Sequence, residues 1–434
     1  MNEYDSNRIS DLVEKAGYTK TENIFDIDCY ILNTCHIREK ATEKVYSDIG
    51  RLKKSYRNKK KPLVLITGCV AQAENEEMLK REKYIDAVIG PQSYHHFPEI
   101  LNNISYKKEK INFTDFDVIE KFDTLKNVEN KNSKVSSFLT IQEGCDKFCS
   151  FCVVPYTRGS EYSRSPQEII NEANKMVLKG TKEITLLGQN VNAYHYKDFK
   201  KNYKISDIIF ELSKIEEIKR IRYTTSHPAD MSQDLIKSYR SLPKLMPFLH
   251  LPVQSGSNKI LKNMNRKYTK EKYLSIIKEL LIVKPEIKFS SDFIIGYPGE
   301  DEKDFFQTID LIKKVKFINS FSFIYNPRPG TPASTQNLLD SKTQKNRLNL
   351  VQNLLEKIQI NKNKSEINKI KKVLIENKMK NQNKYFGRTE DLTPVIVEST
   401  SDKDIGEIIN VEITGNNRNS LFGAKKFFKK EVAA

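Results

Sequence analysis

No run of eighteen apolar residues occurs in this 434-residue chain, so hydropathy offers no membrane-spanning helix. No charged segment leading into an apolar one opens the sequence, a secretory leader is therefore not indicated, and the expectation is a cytoplasmic protein. Cysteine is scarce. Six residues in so long a chain cannot form a disulfide scaffold, which leaves metal binding or redox chemistry as their use. Internal repeats are also lacking, and the length exceeds one ordinary core, so two or three domains are expected.

What is abundant is positive charge. Lys and Arg outnumber Asp and Glu by 73 to 56, giving a net charge of +17 and a pI near 9.3, a balance that suits a polyanionic partner such as nucleic acid. The richness in Lys, Asn and Ile is also what an AT-rich genome yields by itself. Residues 341–384 sharpen the reading, with twelve Lys or Arg against three Glu and a stripe of Leu348, Val351, Leu354, Leu355 and Ile358 at helical spacing. A solvated helix face is the alternative for that tract.

Residues 1–104 alternate predicted helices (5–16 and 38–54) with the apolar runs CYILNTC, PLVLITGC and YIDAVIG, the pattern of a parallel sheet covered by helices. Cys35 and Cys69 fall at the carboxyl ends of two of these strands, where ligands of such sheets bind. Residues 105–135 are polar and weakly periodic and read as a linker or irregular connection. From 136 to 366 the strands FLTIQEG, EITLLG, RIRYTTS, FLHLPVQ, FSSDFIIG and FSFIYN, with helices between most of them, predict a partial or full β/α barrel with its site at the carboxyl-terminal mouth. Ser165 and Pro166 start one of those helices and Gly180 closes it. Gly188, Gln189, Asn190, Ser226, His227, Gln254, Ser255 and Asp292 stand at strand ends. Residues 367–430, with the runs KKVLIE, TPVIVEST and EIINVEIT, predict a small all-β barrel of a kind that often binds single-stranded nucleic acid.

The stretch GCDKFCSFC holds Cys145, Cys149 and Cys152 at CxxxCxxC spacing directly after a strand. A structural zinc needs a fourth Cys or His, and the nearest downstream candidate, His195, is more than about forty residues away. Three thiolates suit a 4Fe-4S cluster with one iron left open. In radical S-adenosylmethionine enzymes that iron chelates the methionine part of the cofactor and delivers an electron to the sulfonium. Zinc and buried core cysteines are the alternatives.

The string CSFCVVPYTRGSEYSR, from Cys149 to Arg164, resembles the methylthiotransferase family, and VVPYTRG points to its tRNA branch. NTCHIREKATEKVYSDIGRLK, TGCVAQ, HLPVQSGS, DFIIGYPGE, YNPRPGTPA and FGRTE extend the resemblance over nearly the whole chain. It implies an α/β fold of three parts: a parallel-sheet methylthiotransferase domain, a radical S-adenosylmethionine partial barrel, and a small TRAM β-barrel that binds RNA. It implies two 4Fe-4S clusters, one on Cys145, Cys149 and Cys152 that makes the radical from S-adenosylmethionine, and one on Cys35 and Cys69 that supplies sulfur. Phe151 would contact the adenine of that cofactor. The implied substrate is N6-isopentenyladenosine at position 37 of the tRNA anticodon loop, methylthiolated at C2, an unpaired base that can be splayed into a pocket. A flavodoxin-type electron donor and a monomeric state complete the expectation.

The family's sulfur-donating cluster has a third cysteine, in a GCQMNEYDS-like string, and this sequence opens at MNEYDS. The expectation is therefore that the first strand and its cysteine are missing, through a start assigned to an internal Met. Cys29 is a poor substitute, since six extended residues separate it from Cys35 by about 20 Å, and a packed core thiol is the expected role. Gly296, Gly299 and Glu300 could line the cofactor pocket or form a simple turn. His227 and His250 read as structural histidines at strand ends. Arg158 and Arg164 could meet the tRNA backbone or a carboxylate.

Overall fold

The computed structural model describes residues 1–35, 39–107, 110–129, 134–199 and 201–426. His36 to Arg38, within the string that begins at Asn33, lie outside them. The chain packs as two compact units, one of residues 1–132, 140–164 and 326–334, the other of residues 133–139, 165–325 and 335–434.

In the first unit the expected alternation forms as α1 (Asn2–Lys15), β1 (Cys29–Thr34), α2 (Glu39–Ser55), β2 (Leu63–Gly68), α3 (Cys69–Arg81), β3 (Ala87–Ile89), α4 (Phe97–Lys107), β4 (Ile111–Phe113) and α5 (Val118–Lys126). The four strands are all parallel, in the order β1-β2-β3-β4. Side chains alternate across such a sheet, and both faces are apolar here. Leu65, Ala87 and Ile89 pack with Ile9, Leu12, Phe97 and Phe122 on one face, while Val64, Ile66 and Val88 pack with Val45, Ile49, Leu52, Val70 and Met78 on the other. The stretch expected to be an irregular connection thus contains β4, which extends the sheet, and α5, which covers it. Two residues each of β6 (Gln142–Glu143) and β7 (Tyr162–Ser163) pair antiparallel and bracket the cysteine loop with its short helix α6 (Val154–Arg158).

The second unit opens with β5 (Ser136–Thr140) and α7 (Pro166–Leu178), whose Ser165 cap accepts from the Glu168 N–H at 3.3 Å as expected. Strand β8 (Glu183–Leu187), a hairpin of β9 (His195–Lys197) and β10 (Asn202–Lys204), α8 (Ile205–Ser213), β11 (Arg220–Thr224), α9 (Gln233–Ser241) and β12 (Phe248–His250) follow. Next come α10 (Asn258–Asn263), α11 (Lys270–Val283), β13 (Lys288–Ser290), β14 (Asp292–Ile295), α12 (Glu302–Val315) and β15 (Phe321–Ile324). Parallel ladders β11-β8-β5, β12-β13 and β14-β15, joined by the bridges Ile221 to Leu245 and Gln254 to Phe293, make the partial β/α barrel. The long helix α13 (Ser341–Lys364) buries Val351 and Leu355 of its predicted stripe.

After α13 the strands β16 (Ile370–Lys378), β17 (Tyr385–Thr389), β18 (Pro394–Glu398), β19 (Ile408–Asn416) and β20 (Leu421–Lys425) close a barrel in the order β16-β17-β18-β20-β19 around Val373, Ile375, Val395, Val397, Val411 and Ile413. Two of these strands, YFGRT and LFGAK, were not expected. Each has a glycine at its centre, which weakens strand patterning. Each glycine is required, since a Cβ at 387 would lie 2.4 Å from the Leu374 carbonyl and one at 423 would lie 2.5 Å from that of Glu412. No helix among the described residues is long and apolar enough to cross a membrane.

Candidate cluster-binding and catalytic site

Register brings the first cysteine pair together. Thr34 of β1 stands opposite Gly68 of β2, so Cys35 and Cys69 follow at matching positions on adjacent parallel strands. Neighbouring strands lie roughly 4.8 Å apart. The Thr34 hydroxyl donates to the Thr67 carbonyl at 2.5 Å and accepts from the Val70 N–H at 3.2 Å, stitching the two strand ends. Gly68 is needed at the joint: its φ is 93°, and a Cβ there would lie 2.2 Å from the Thr34 carbonyl oxygen. Cys69 is the first residue of α3, directly at the carboxyl end of β2. Cys29 begins the same strand at its other end, opposite Leu63, and packs against the core, and burial pushes its thiol up to about 12. That position bears out the packing role.

The second group sits in the β6–β7 loop. Gly144 takes φ 75°, and a Cβ there would stand 1.9 Å from the Ser160 carbonyl oxygen. The Cys145 N–H donates to the Gly159 carbonyl at 3.1 Å and the Cys152 N–H to the Cys149 carbonyl at 2.9 Å, folding the loop on itself, while the Ala333 N–H reaches the Ser150 carbonyl at 2.9 Å. Burial pushes the Cys145 thiol up to about 12, against the Lys147 N–H that bonds its sulfur, and Cys152, Glu161 and Cys149 add to the rise. The three thiols are thus within electrostatic reach of one another. The Cys145 thiol ionises readily only against a cationic metal centre, and a soft trio of sulfurs with a backbone N–H donor is a donor set that fits an iron-sulfur cluster. Phe151 stands half-buried between Ser150 and Cys152.

A buried ionic floor lies in the same unit. Arg158 donates from Nη2 to Asp5 Oδ2 at 2.7 Å and from Nη1 to Glu143 Oε2 at 3.3 Å. Lys121 pairs with Glu143 and donates to Gln92 Oε1 at 3.1 Å and to the Pro91 carbonyl at 3.2 Å, and Gln92 Nε2 returns a bond to the Arg158 carbonyl at 2.9 Å. Two cations face two anions, all almost wholly buried. Burial alone would push Asp5 up, yet Arg158 and Lys121 overcome it and hold the carboxyl below its ordinary value. For Arg158 burial is opposed by Asp5, then by Cys69 and Glu143, and its pKa is raised. The same guanidinium therefore senses the Cys69 thiol and belongs to the loop that carries Cys145, Cys149 and Cys152.

Sequence reasoning offered Arg158 and Arg164 either tRNA phosphate or a carboxylate. Both are buried, which removes the phosphate reading: Arg158 meets two carboxylates, and Arg164 donates from Nη1 to the Thr140 carbonyl at 2.7 Å with its guanidinium 4.6 Å from the Phe122 ring. Asp5, Lys121 and Glu143 were missed, because a charged residue in sequence reads as surface.

At the carboxyl ends of the barrel strands in the second unit, Asn190 Nδ2 donates to Asp230 Oδ2 at 2.8 Å. Asn192 exchanges two 2.8 Å bonds with the His227 backbone. The His227 ring accepts the Ala229 N–H at 3.2 Å and meets Tyr268 edge-on at 5.5 Å, while His250 Nδ1 lies 2.9 Å from Ser290 Oγ. Both histidines are thus held in local networks, as a structural role predicts. Thr225 and Gln254 adopt φ 69° and 72°, left-handed conformations that non-glycine residues rarely take and that concentrate where a mouth is shaped for ligands. Gly296 turns at φ 69° against Gln344, and Glu300 accepts the Gly296 N–H at 3.1 Å and Arg347 at 2.7 Å. Burial pushes the Glu300 carboxyl up, with Arg347 pulling the other way. His195 is exposed on β9.

Arg220 and Arg222 of β11 tie the small barrel to the larger one. Arg220 donates to the carbonyls of Arg388 at 2.7 Å and Lys372 at 3.0 Å; Arg222 reaches those of Glu390 at 2.8 Å and Thr389 at 3.0 Å and pairs with Glu183 at 3.0 Å. Burial pushes the Arg220 guanidinium down to about 10.

Comparison with known proteins matches the radical SAM superfamily over residues 139–312, the uncharacterized protein family UPF0004 over 1–90 and the TRAM domain over 364–426. The tRNA-2-methylthio-N(6)-dimethylallyladenosine synthase of Pelagibacter ubique (strain HTCC1062) is 60% identical over 434 residues, covering 100% of this chain and 97% of that relative. The enzyme of the same name from Wolbachia pipientis subsp. Culex pipiens (strain wPip) is 49% identical, covering 98% and 97%. Among solved structures, the radical S-adenosylmethionine methyltransferase TsrM from Kitasatospora setae, with cobalamin and a [4Fe-4S] cluster bound, shares the fold at a TM-score of 0.52 and 11% identity, over 76% of this chain and 74% of that one. With a sheet that pairs Cys35 and Cys69, a CxxxCxxC loop, a partial β/α barrel and a terminal TRAM barrel, the chain belongs to the tRNA-2-methylthio-N(6)-dimethylallyladenosine synthase family of radical SAM enzymes.

Proposed function

We propose that the chain adds a methylthio group to C2 of N6-isopentenyladenosine at position 37 of tRNA. Cys145, Cys149 and Cys152 hold a 4Fe-4S cluster, and Cys35 and Cys69 are ligands of a second one. When bound, these clusters and S-adenosylmethionine supply the 5′-deoxyadenosyl radical and the sulfur that an unactivated aromatic C–H demands, since no general base can take that hydrogen. The observation that carries the reading is the strand register that sets Cys35 beside Cys69 in the same compact unit as the CxxxCxxC loop.

The protein's own residues position and exclude. Gly144 and Gly68 let backbone close around the thiols, and the Lys147 N–H bonds the Cys145 sulfur. Phe151 would contact the adenine of bound S-adenosylmethionine. Residues 1–104, with β4 and α5 of the following stretch 105–135, form the sulfur-donating part, 136–366 the radical domain and 367–430 the TRAM domain, which binds the tRNA anticodon arm together with the basic face of α13. A flavodoxin-type protein supplies electrons, and the enzyme works as a cytoplasmic monomer. Nucleoside analysis of tRNA from a strain lacking the gene tests the assignment: methylthio-isopentenyladenosine disappears, isopentenyladenosine accumulates, and the gene restores the product. An unchanged nucleoside profile in the deletion strain overturns it.

A further inference from the structure

The 3-10 turn Tyr94–His96 and helix α5 bring two imidazoles and a carboxylate to one point. His95, His96 and Glu120 each offer a ligand atom, and those atoms all lie within 4.8 Å of one another. Nε2 of His95 and Nε2 of His96 are each 3.8 Å from Glu120 Oε1, and the two rings stand side by side with centroids 4.0 Å apart. The His95 side chain is only 2% exposed, and among the described residues its ring has no hydrogen-bond partner beyond the Gln92 backbone, so at least one ring nitrogen is left without one. A buried imidazole left in that state forgoes the bonds it had in water, a cost that native interiors normally avoid. Lys121, the next residue after Glu120, does not meet the need, because its ammonium is engaged by Glu143, Gln92 and the Pro91 carbonyl.

We propose that His95, His96 and Glu120 form a site for a divalent transition-metal ion of the zinc type, separate from the cysteine clusters. Imidazole nitrogen and carboxylate oxygen are ligands that zinc accepts, and two neutral rings with one carboxylate leave a fourth position for water. Tetrahedral bonds of roughly 2.0–2.1 Å would set ligand atoms about 3.3 Å apart. The two 3.8 Å separations from Glu120 need to contract by about half an ångström, which the half-exposed Glu120 side chain can supply, and a rotation of the partly exposed His96 ring adjusts the rest. Glu99 Oε2 stands 3.5 Å from His96 Nδ1, the place of an outer carboxylate that orients a metal-bound imidazole. Phe113 backs the His96 ring at 4.4 Å. The ion would fasten the turn after β3 to α5, the helix that carries Lys121 into the ionic floor.

The test uses full-length protein with its iron-sulfur clusters reconstituted, dialysed against micromolar zinc chloride, with zinc, iron and sulfide counted per chain. One zinc per chain is expected, with iron unchanged by its uptake. His96→Ala and Glu120→Ala, both on partly exposed side chains, should weaken zinc binding by more than the roughly tenfold that loss of an outer partner costs, while iron and sulfide stay constant. No zinc uptake by the wild-type protein, or wild-type uptake by both variants, overturns the site. The count is independent of the tRNA product, so either result leaves the proposed function standing or falling on its own test.

Discussion

Arg158 Nη2 and Asp5 Oδ2 meet at 2.7 Å across 153 positions of sequence, and both side chains are almost fully buried. The pair closes the floor of the unit that carries Cys35, Cys69, Cys145, Cys149 and Cys152, and Glu143 and Lys121 complete its balance of charge.

Breaking that balance on one side leaves a buried charge without its partner. Arg158→Gln should destabilise the first unit by about 3–5 kcal/mol, and adding Asp5→Asn should recover part of the loss, because the uncompensated carboxylate is gone. Denaturant unfolding of the single and double variants reads this. Strict additivity of the two effects would contradict a coupled pair.

The cysteines should separate by iron count. Replacing Cys145, Cys149 or Cys152 by Ala is expected to lower reconstituted iron by about four per chain and to abolish 5′-deoxyadenosine formation under reduction. Cys35→Ala and Cys69→Ala should cost the other cluster's iron while 5′-deoxyadenosine still forms. Cys29→Val should leave iron as it was. A loss of iron in that last variant would return Cys29 to the ligand set.

Gly144→Ala places a methyl 1.9 Å from the Ser160 carbonyl in a left-handed backbone, so the cysteine loop must open. The variant should lose the same cluster as Cys145→Ala with every ligand still present, read by iron content and the visible absorption of the cluster. Wild-type reconstitution would mean that the loop tolerates what its geometry forbids.

Asp391 is held down to about 2: burial opposes this, but Lys362, 2.8 Å away, outweighs it, with Thr389 adding a bond. A depressed carboxyl contributes stability above its unfolded value near 3.8, and that stability drains away as pH falls toward 2. Asp391→Asn should therefore weaken the small barrel by about 2 kcal/mol at neutral pH and by progressively less below about pH 4. Amide exchange in β16–β18 of protein stripped of its clusters, at about pH 7 and about pH 3, measures both. An equal penalty at the two values would refute the charge as its source.

Phosphate binding by the basic face of α13 should make tRNA affinity fall steeply with salt. Reversing the exposed Lys345 and Lys357 to Glu should weaken binding and flatten the slope of log affinity against log salt by about 0.7–0.9 for each phosphate no longer neutralised. Binding insensitive to salt would remove this helix from the interface.

The sequence spoke most clearly where one local rule acts alone. Continuous apolar runs such as LVLITG became the buried strands, Ser165 capped its helix, and the CxxxCxxC loop followed a strand. It was silent where partners are distant. Lys121 hides α5, because a lysine at a core position breaks the apolar stripe of Val118, Phe122 and Leu125, and only the fold reveals Glu143 as its counter-charge. The glycines at 387 and 423 masked two strands for a related reason, since what they accommodate is a neighbouring backbone that no local pattern announces.

At the joint between the two barrels, Arg220 and Arg222 grip the carbonyl oxygens of Lys372, Arg388, Thr389 and Glu390, atoms that any amino acid would present. The anchoring bonds themselves therefore require a backbone path at those four positions and no particular side chain. The attachment of the small barrel thus rests on two arginine side chains of β11 and on the course of a backbone, while the side chains that the small barrel turns outward take no part in it.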